Sequence, residues 1–163
     1  DLPPFSLKNV RDLFSQYTEE TNQPFSEAAV KKIYEETEGQ PWLVNRLGTI
    51  LTVDVKPETV EPIDQQDVEK AIEILLLERN HHFDNLYEKA KLYKETFVEI
   101  VFDHAEYNPE DEEQTWLEQY GLIKNKGGHA IVANNIYRAR FTNTFFKEVN
   151  AYENKSLQSN PYD

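Results

Sequence analysis

A Gly-x-Pro corner at residues 37–43 follows an amphipathic run at residues 28–37 and opens a second one. Gly39 suits the left-handed position that closes a helix, and Pro41 suits the first turn of the next helix, where its missing N–H costs nothing. Such a joint leaves backbone N–H groups facing a cleft, and Pro41 and Trp42 offer flat apolar surface that a purine can lie against. The same residues are also compatible with a corner that only joins two helices and binds nothing.

The first half of the chain contains four segments in which apolar residues recur at helical spacing. Ser6, Ser26 and Asp64 are well placed to cap three of them. The predicted helices cover residues 7–17, 28–37, 41–51 and 65–79. Residues 52–63 contain Pro57 and Pro62, so they predict a polar connection that either wraps a surface or is mobile.

In the second half, the polar cluster at residues 80–84 interrupts the periodicity, and Asp84 can cap a new helix. Two short helices or one kinked helix should follow. Acidic residues 110–113 favour the first turn of a further helix, which Gly121 closes. The remaining segments predict a strand at 122–125, a glycine turn, a strand at 130–133 and a last helix at 136–152.

These elements predict a mainly α fold with two domains. Residues 1–79 form a four-helix domain, and residues 80–152 form a winged-helix domain with a short β-hairpin. Residues 153–163 are polar and are predicted to be a disordered tail.

Composition limits the chemistry available to this 163-residue chain. It has no cysteine, which excludes disulfides and thiolate sites and is compatible with a reducing compartment. No apolar run reaches the roughly 18 residues of a membrane span, and no signal peptide is visible. We therefore predict a cytoplasmic protein without a membrane partner. Because methionine is absent, even at position 1, we expect the sequence to be a fragment or a processed piece.

The net charge of -13 works against general nucleic-acid binding, because phosphate contacts supply most of that affinity. Residues 122–148 break this trend, since five basic residues there stand against one acidic residue. Lys124, Lys126, Arg138 and Arg140 are therefore candidate phosphate contacts of a nucleic-acid-binding winged helix, the alternative function kept for this chain.

Three short motifs resemble the C-terminal half of bacterial AAA+/STAND-type P-loop ATPases, in the family of AAA-like ATPases. Residues 4–7, Pro-Phe-Ser-Leu, look like the start of the helical lid that follows the nucleotide-binding core. Residues 37–45 look like the Gly-x-Pro motif that contacts the nucleotide in such lids. Residues 120–123 and 131–137 look like the wing and the start of the final helix, although Asn135 stands where the pattern has proline.

The resemblance implies a regulatory piece of an ATP-driven switch protein. Gly39, Pro41 and Trp42 would approach the adenine side of ATP or ADP. Asn134 would approach the phosphates, because it stands where related NB-ARC proteins have a phosphate-sensing histidine. The partner implied is the chain's own N-terminal P-loop domain, with a protein effector or a homo-oligomer as further candidates.

The sequence contains no Gly-x-x-x-x-Gly-Lys-[Ser/Thr] loop and no hydrophobic strand ending in paired acids that would hold magnesium. This piece is therefore predicted to have no catalytic residues and no cofactor of its own. The full-length protein is predicted to be an ATPase whose missing core binds Mg-ATP.

No metal site is predicted. His81 and His82 are adjacent, so on a helix they point apart, and a solvated helix junction explains them better than chelation. His104, near Asp103 and Glu106, has no nucleophile beside it and is predicted to be a surface group. A plain protein-interaction module, docking through the apolar face of the first domain, is the third functional hypothesis.

Overall fold

A computed structural model describes residues 3–102 and 105–158 of the chain. The chain divides into two compact units, residues 1–78 and residues 79–163, called here the first and the second unit. Both are mainly helical, and the second carries a two-stranded antiparallel sheet. The predicted fold class, mainly α with a short hairpin, is confirmed.

The first unit consists of helices that begin where the sequence places capping residues. The side chains of Ser6, Ser26 and Asp64 each accept a hydrogen bond from the backbone N–H three residues later, as predicted. Gln40, which was not predicted as a cap, does the same for the third helix. The elements are α1 (Leu7–Thr21), α2 (Glu27–Thr37), α3 (Pro41–Thr49), a π-helical segment (Ile50–Val55) and α4 (Gln65–Leu76).

The core of the first unit is formed by the apolar faces that these helices turn toward one another. Phe14 of α1 stacks on Phe25 with ring centroids 4.3 Å apart. Gly48 of α3 lies under Phe14, and a Cβ there would stand 3.1 Å from the Phe14 ring. Fully buried aliphatic residues complete the core: Val10, Ile33, Leu43, Val44, Leu47, Ile50, Leu51, Val68 and Leu75.

The connection at residues 56–63 is tied down by one buried polar side chain. Gln23 is only 1% exposed, and its Nε2 donates to the carbonyls of Lys56 at 3.1 Å and Glu61 at 3.2 Å. Its Oε1 accepts a hydrogen bond from the Tyr17 hydroxyl at 2.9 Å. Lys56 Nζ pairs with Asp67 at 2.7 Å, so this connection wraps the surface of the unit.

Replacing Gln23 by alanine should destabilise the first unit by about 2 kcal/mol, because two carbonyls and the Tyr17 hydroxyl lose their partner. Urea unfolding followed by Trp42 fluorescence, in a W116F background, measures this loss. Amide exchange at residues 56–63 should accelerate. The milder Tyr17→Phe variant removes one hydrogen bond and should cost about 1 kcal/mol. Equal stability of Q23A and the parent chain would show that the hydrogen bonds of Gln23 do not stabilise the first unit.

The second unit contains a hairpin between helices. Its elements are α5 (His81–Leu92), α6 (Lys94–Val101), α7 (Glu112–Gln119), β1 (Ile123–Lys126), β2 (His129–Val132), α8 (Asn135–Thr144) and α9 (Phe146–Gln158). Gly121, at φ 79°, ends α7 as predicted, whereas Asp111 caps the helix and does not lie in its first turn. The cap of α5 is Asn80 and not Asp84, because extended Asn80 accepts a hydrogen bond from the Phe83 N–H at 2.8 Å.

The hairpin has its predicted place directly after Gly121. Ile123 pairs with Val132 and Lys126 with His129 in the antiparallel register. Beside it, residues 105–107 pair with the second strand, since the Ala130 N–H donates to the Ala105 carbonyl at 3.0 Å. This third extended segment was not predicted, because it is too short to show an alternating pattern.

The last helix differs from the prediction. Instead of one helix over residues 136–152, α8 ends at Thr144 and α9 begins at Phe146. Phe145 between them is 3% exposed, and its ring stacks on Tyr87 with centroids 5.6 Å apart. Burial of this ring favours the break over a straight helix. Residues 153–158, which were predicted to belong to a disordered tail, continue α9, and residues 159–163 lie outside the described residues.

Candidate functional site

The Gly-x-Pro corner has two consecutive residues in the left-handed region. Glu38 has φ 48° and Gly39 has φ 79°. The Gly39 N–H donates to Thr37 Oγ1 at 3.1 Å, and the Gln40 N–H donates to the Thr37 carbonyl at 3.1 Å. Gln40 Oε1 accepts from the Leu43 N–H at 2.8 Å. These amides were expected to face a cleft, but the corner uses them in its own capping, which corrects that expectation.

Gly39 is packed against the segment that leads into α1. The Phe5 N–H donates to the Gly39 carbonyl at 2.7 Å. A Cβ on Gly39 would stand 1.9 Å from the Phe5 carbonyl oxygen, closer than any side-chain atom can approach. Glycine is therefore required here by both its dihedral angle and this contact. No sequence signal indicates the contact of Phe5 with Gly39.

The corner presents less apolar surface than the sequence suggests. Gly39 and Pro41 are buried within the first unit, whereas Gln40 and Trp42 are half-buried. A shallow groove of about 430 Å³ lies next to the corner, because Phe5, which is hydrogen-bonded to Gly39, forms part of its lining. Its lining consists of Pro3, Pro4, Phe5, Asn9, Asp12, Leu13 and Gln16. Of the three predicted adenine-side residues, Trp42 is therefore the one with surface to offer to a ligand.

Asn134, the predicted phosphate-side residue, belongs to the second unit and caps α8. It is 4% exposed, and its Oδ1 accepts from the Tyr137 N–H at 2.8 Å. Because the capping oxygen is already bonded, the side-chain NH₂ is the group of Asn134 suited to an anion.

The first turn of α5 packs a half-buried His82 against α8. One of its ring nitrogens, Nε2, lies 2.7 Å from the hydroxyl of Tyr137, which is 1% exposed. Burial lowers the pKa of His82 to about 4 and raises the pKa of Tyr137. His82 is thus a packed, neutral residue and not the solvated one that the sequence suggests.

His82 should make the second unit less stable in acid. In the unfolded chain the imidazole binds a proton near its ordinary pKa of 6.5, whereas in the folded unit it does so near 4. The unfolded state therefore binds more protons between pH 6.5 and 4, and stability falls as the pH falls through this window. The loss should be on the order of 2 kcal/mol after allowance for partial exposure.

Urea unfolding from about pH 7 to about pH 4, followed by Trp116 fluorescence in a W42F background, measures this loss. The His82→Gln variant should lack this component of the pH dependence. The exposed neighbour provides the control, since His81→Gln should retain it. Identical pH profiles for H82Q and the parent chain would contradict the assignment.

The four candidate phosphate contacts do not form one free basic face. Arg138 donates from Nη1 to the Val101 carbonyl at 2.6 Å, and the Arg140 guanidinium lies 4.6 Å from the Phe83 ring centroid. Lys124 is half-buried and Lys126 is exposed on β1. The helix before the hairpin, α7, carries Glu112, Glu113 and Glu118. This arrangement disfavours phosphate binding by α7 and its wing.

Among residues 3–102 and 105–158, no group of three or more His, Cys, Asp or Glu is arranged to hold a metal ion. His104 and Asp103 lie outside the described residues. Within the part of the chain that the structure describes, no helix is long and apolar enough to cross a membrane.

The chain belongs to the family described as AAA-like domain, whose sequence profile matches residues 1–143. The resemblance predicted from the three motifs is thereby confirmed, and the chain is a relative of AAA+ ATPases.

Among solved structures, the chain is similar to the RuvB Holliday junction branch migration motor of Thermotoga maritima. The identity is 18% and the TM-score 0.40, with 84% of this chain and 49% of that chain covered. Two variants of the same RuvB match at 18% identity, with TM-scores of 0.41 and 0.40, over 84% and 85% of this chain and 49% of theirs. The chain thus spans about half the length of these structures. A comparison with curated protein sequences gave no match.

Proposed function

We propose that this chain is the regulatory C-terminal part of an AAA-like ATPase, in which the first unit serves as a helical lid and the second as a winged helix. The lid corner, with Gly39, Pro41 and Trp42, meets the adenine side of ATP or ADP. Asn134 meets the phosphate side. Both contacts are made to a nucleotide held, with its magnesium ion, by a P-loop core that this sequence does not contain.

The hydrogen bond between the Phe5 N–H and the Gly39 carbonyl carries this proposal. It fixes the Gly-x-Pro corner directly to the segment that leads into the lid. In the AAA-like arrangement that segment comes from the nucleotide-binding core, so a change at the nucleotide moves the segment and the corner together. The lid then changes its position with ATP or ADP, which is how such a protein switches between states.

Within the corner, the residues divide into two roles. Gly39 and Pro41 are buried and shape the turn, whereas half-buried Trp42 supplies the surface on which a purine stacks. At the other contact, the Asn134 NH₂ group donates to a phosphate oxygen while its Oδ1 keeps the cap of α8.

Calorimetric titration of ADP into the full-length protein tests the proposal. Trp42→Ala should weaken ADP binding about 10-fold, since stacking of a base on an aromatic side chain contributes about 1–3 kcal/mol. Trp42→Phe keeps a ring and should restore most of the affinity. The control is Val53→Ala, which changes an exposed apolar residue of the same unit and should leave the affinity within about twofold.

Two results would reject the proposal. One is a full-length protein that binds neither ATP nor ADP. The other is a folded W42A variant, shown by an unchanged circular dichroism spectrum, that binds ADP as tightly as the parent protein.

A further inference from the structure

The second unit exposes a stacked aromatic pair on an acidic helix. Trp116 of α7 is 39% exposed, and its ring stacks on that of Tyr120 with centroids 6.0 Å apart and planes inclined by 22°. A large aromatic side chain left in solvent is uncommon, and such residues often mark interaction surfaces. Tyr120 is half-buried, so Trp116 is the more exposed ring of the pair.

Carboxylates and a third aromatic ring adjoin this pair. Glu112 and Glu113 are exposed in the first turn of the same helix. Tyr93, which directly precedes α6, lies near this group: burial first, and then the charges of Tyr120, Glu112 and Glu113, raise its pKa. These five residues, Tyr93, Glu112, Glu113, Trp116 and Tyr120, are called here the Trp116 surface.

The Trp116 surface already holds one cation from its own chain. Lys89, in the last turn of α5, places its Nζ 4.9 Å from the centroid of the Tyr120 ring. Aromatic faces attract ammonium and guanidinium groups, and nearby carboxylates strengthen that attraction. The contact shows the kind of group that this surface selects.

We propose that the Trp116 surface docks a basic segment of a partner protein, with an arginine or lysine side chain against the Trp116 and Tyr120 rings and its charge facing Glu112 and Glu113. Charge complementarity identifies the occupant. A surface with exposed carboxylates repels phosphates and attracts cations, and it belongs to a chain of net charge -13. This docking is separate from nucleotide binding and goes beyond the function proposed above.

Binding of a fluorescein-labelled hexa-arginine peptide to the full 163-residue chain, followed by fluorescence anisotropy, tests the proposal. Glu112→Gln with Glu113→Gln should weaken binding about 10-fold. The matched control is Glu19→Gln with Glu20→Gln, which removes the same charge from an exposed pair in the first unit and should change the affinity less than about twofold.

Two single-residue variants separate the aromatic contribution from bulk charge. Trp116→Ala should weaken binding about fivefold through loss of the cation–π contact. Its circular dichroism spectrum should be unchanged because the residue is exposed. Lys89→Gln removes the resident cation from Tyr120 and should tighten binding more than Lys91→Gln, which removes an equal charge that lies over Tyr87 instead.

Several outcomes would overturn the proposal. Equal losses in the two double-glutamine variants would mean attraction to net charge alone. Unchanged affinity in W116A would remove the aromatic contact. Tighter binding of a labelled single-stranded oligonucleotide than of the peptide, lost in W116A, would make the occupant a nucleic acid. Concentration-dependent dimers in sedimentation, abolished by W116A, would make it a second copy of the chain.

Discussion

Gly39→Ala should destabilise the first unit by about 3–4 kcal/mol, because three costs combine at one position. An alanine at φ 79° costs about 1–2 kcal/mol in the left-handed region. Its Cβ would stand 1.9 Å from the Phe5 carbonyl oxygen, so the segment leading into α1 must move away. That movement breaks the hydrogen bond between the Phe5 N–H and the Gly39 carbonyl, which is worth about 1 kcal/mol.

Gly121→Ala provides the matched control. Gly121 also has φ 79°, yet a Cβ there would meet nothing within 4 Å. Its replacement should therefore cost the second unit only the dihedral penalty, about 1–2 kcal/mol. The difference between the two variants isolates the contact with Phe5. Urea unfolding, with Trp42 reporting on the first unit and Trp116 on the second in single-tryptophan backgrounds, measures both. Equal losses of unfolding free energy in the two variants would show that the segment around Phe5 moves away from the new Cβ without a cost in stability.

Several helix starts and ends could be predicted from the sequence, because they depend on neighbouring residues. Ser6, Ser26 and Asp64 cap the helices assigned to them, and Gly121 closes α7. In each case the donor and acceptor are a few residues apart, so a short window contains both partners. The hairpin could also be predicted, because a glycine pair separates the two strand segments.

Contacts distant along the chain could not be predicted. Gln23 looks like an ordinary loop residue, but its two acceptors lie 33 and 38 residues further along the chain. The break at Phe145 coincides with burial of its ring against Tyr87, and no helix-breaking residue marks it in the sequence. Helical periodicity continues through Phe145, so the sequence predicts one helix across that position.

The candidate site shows the same division. The left-handed Gly39 could be predicted, because glycine followed by Pro41 is a local signal. The internal capping of the corner amides was missed, although the side-chain acceptors, Thr37 and Gln40, lie only two and three residues from their donors. The sequence also could not indicate that Pro41 is buried and Trp42 half-buried, because the exposure of each side chain depends on the other helices of the unit.

Phe141→Ala should destabilise the second unit by about 3–5 kcal/mol, the usual cost of removing a buried aromatic ring. Phe141 is 1% exposed and lies among three rings. It meets Phe83 at 6.4 Å and Phe97 at 6.1 Å between centroids, both nearly edge to face, and Tyr137 at 6.3 Å. These rings come from α5, α6 and α8, so the cavity would open where the three helices meet.

Phe141→Leu fills most of that cavity and should cost less than half as much as alanine, since part of the packing and apolar burial is kept. Unfolding in urea, followed by Trp116 fluorescence in a W42F background, compares the two variants. The Trp42 transition of the first unit, followed in a W116F background, reports whether the loss is confined to the second unit. If F141A were as stable as F141L, the three helices would have to close the cavity by moving together, and Phe141 would not be the residue that fixes their spacing.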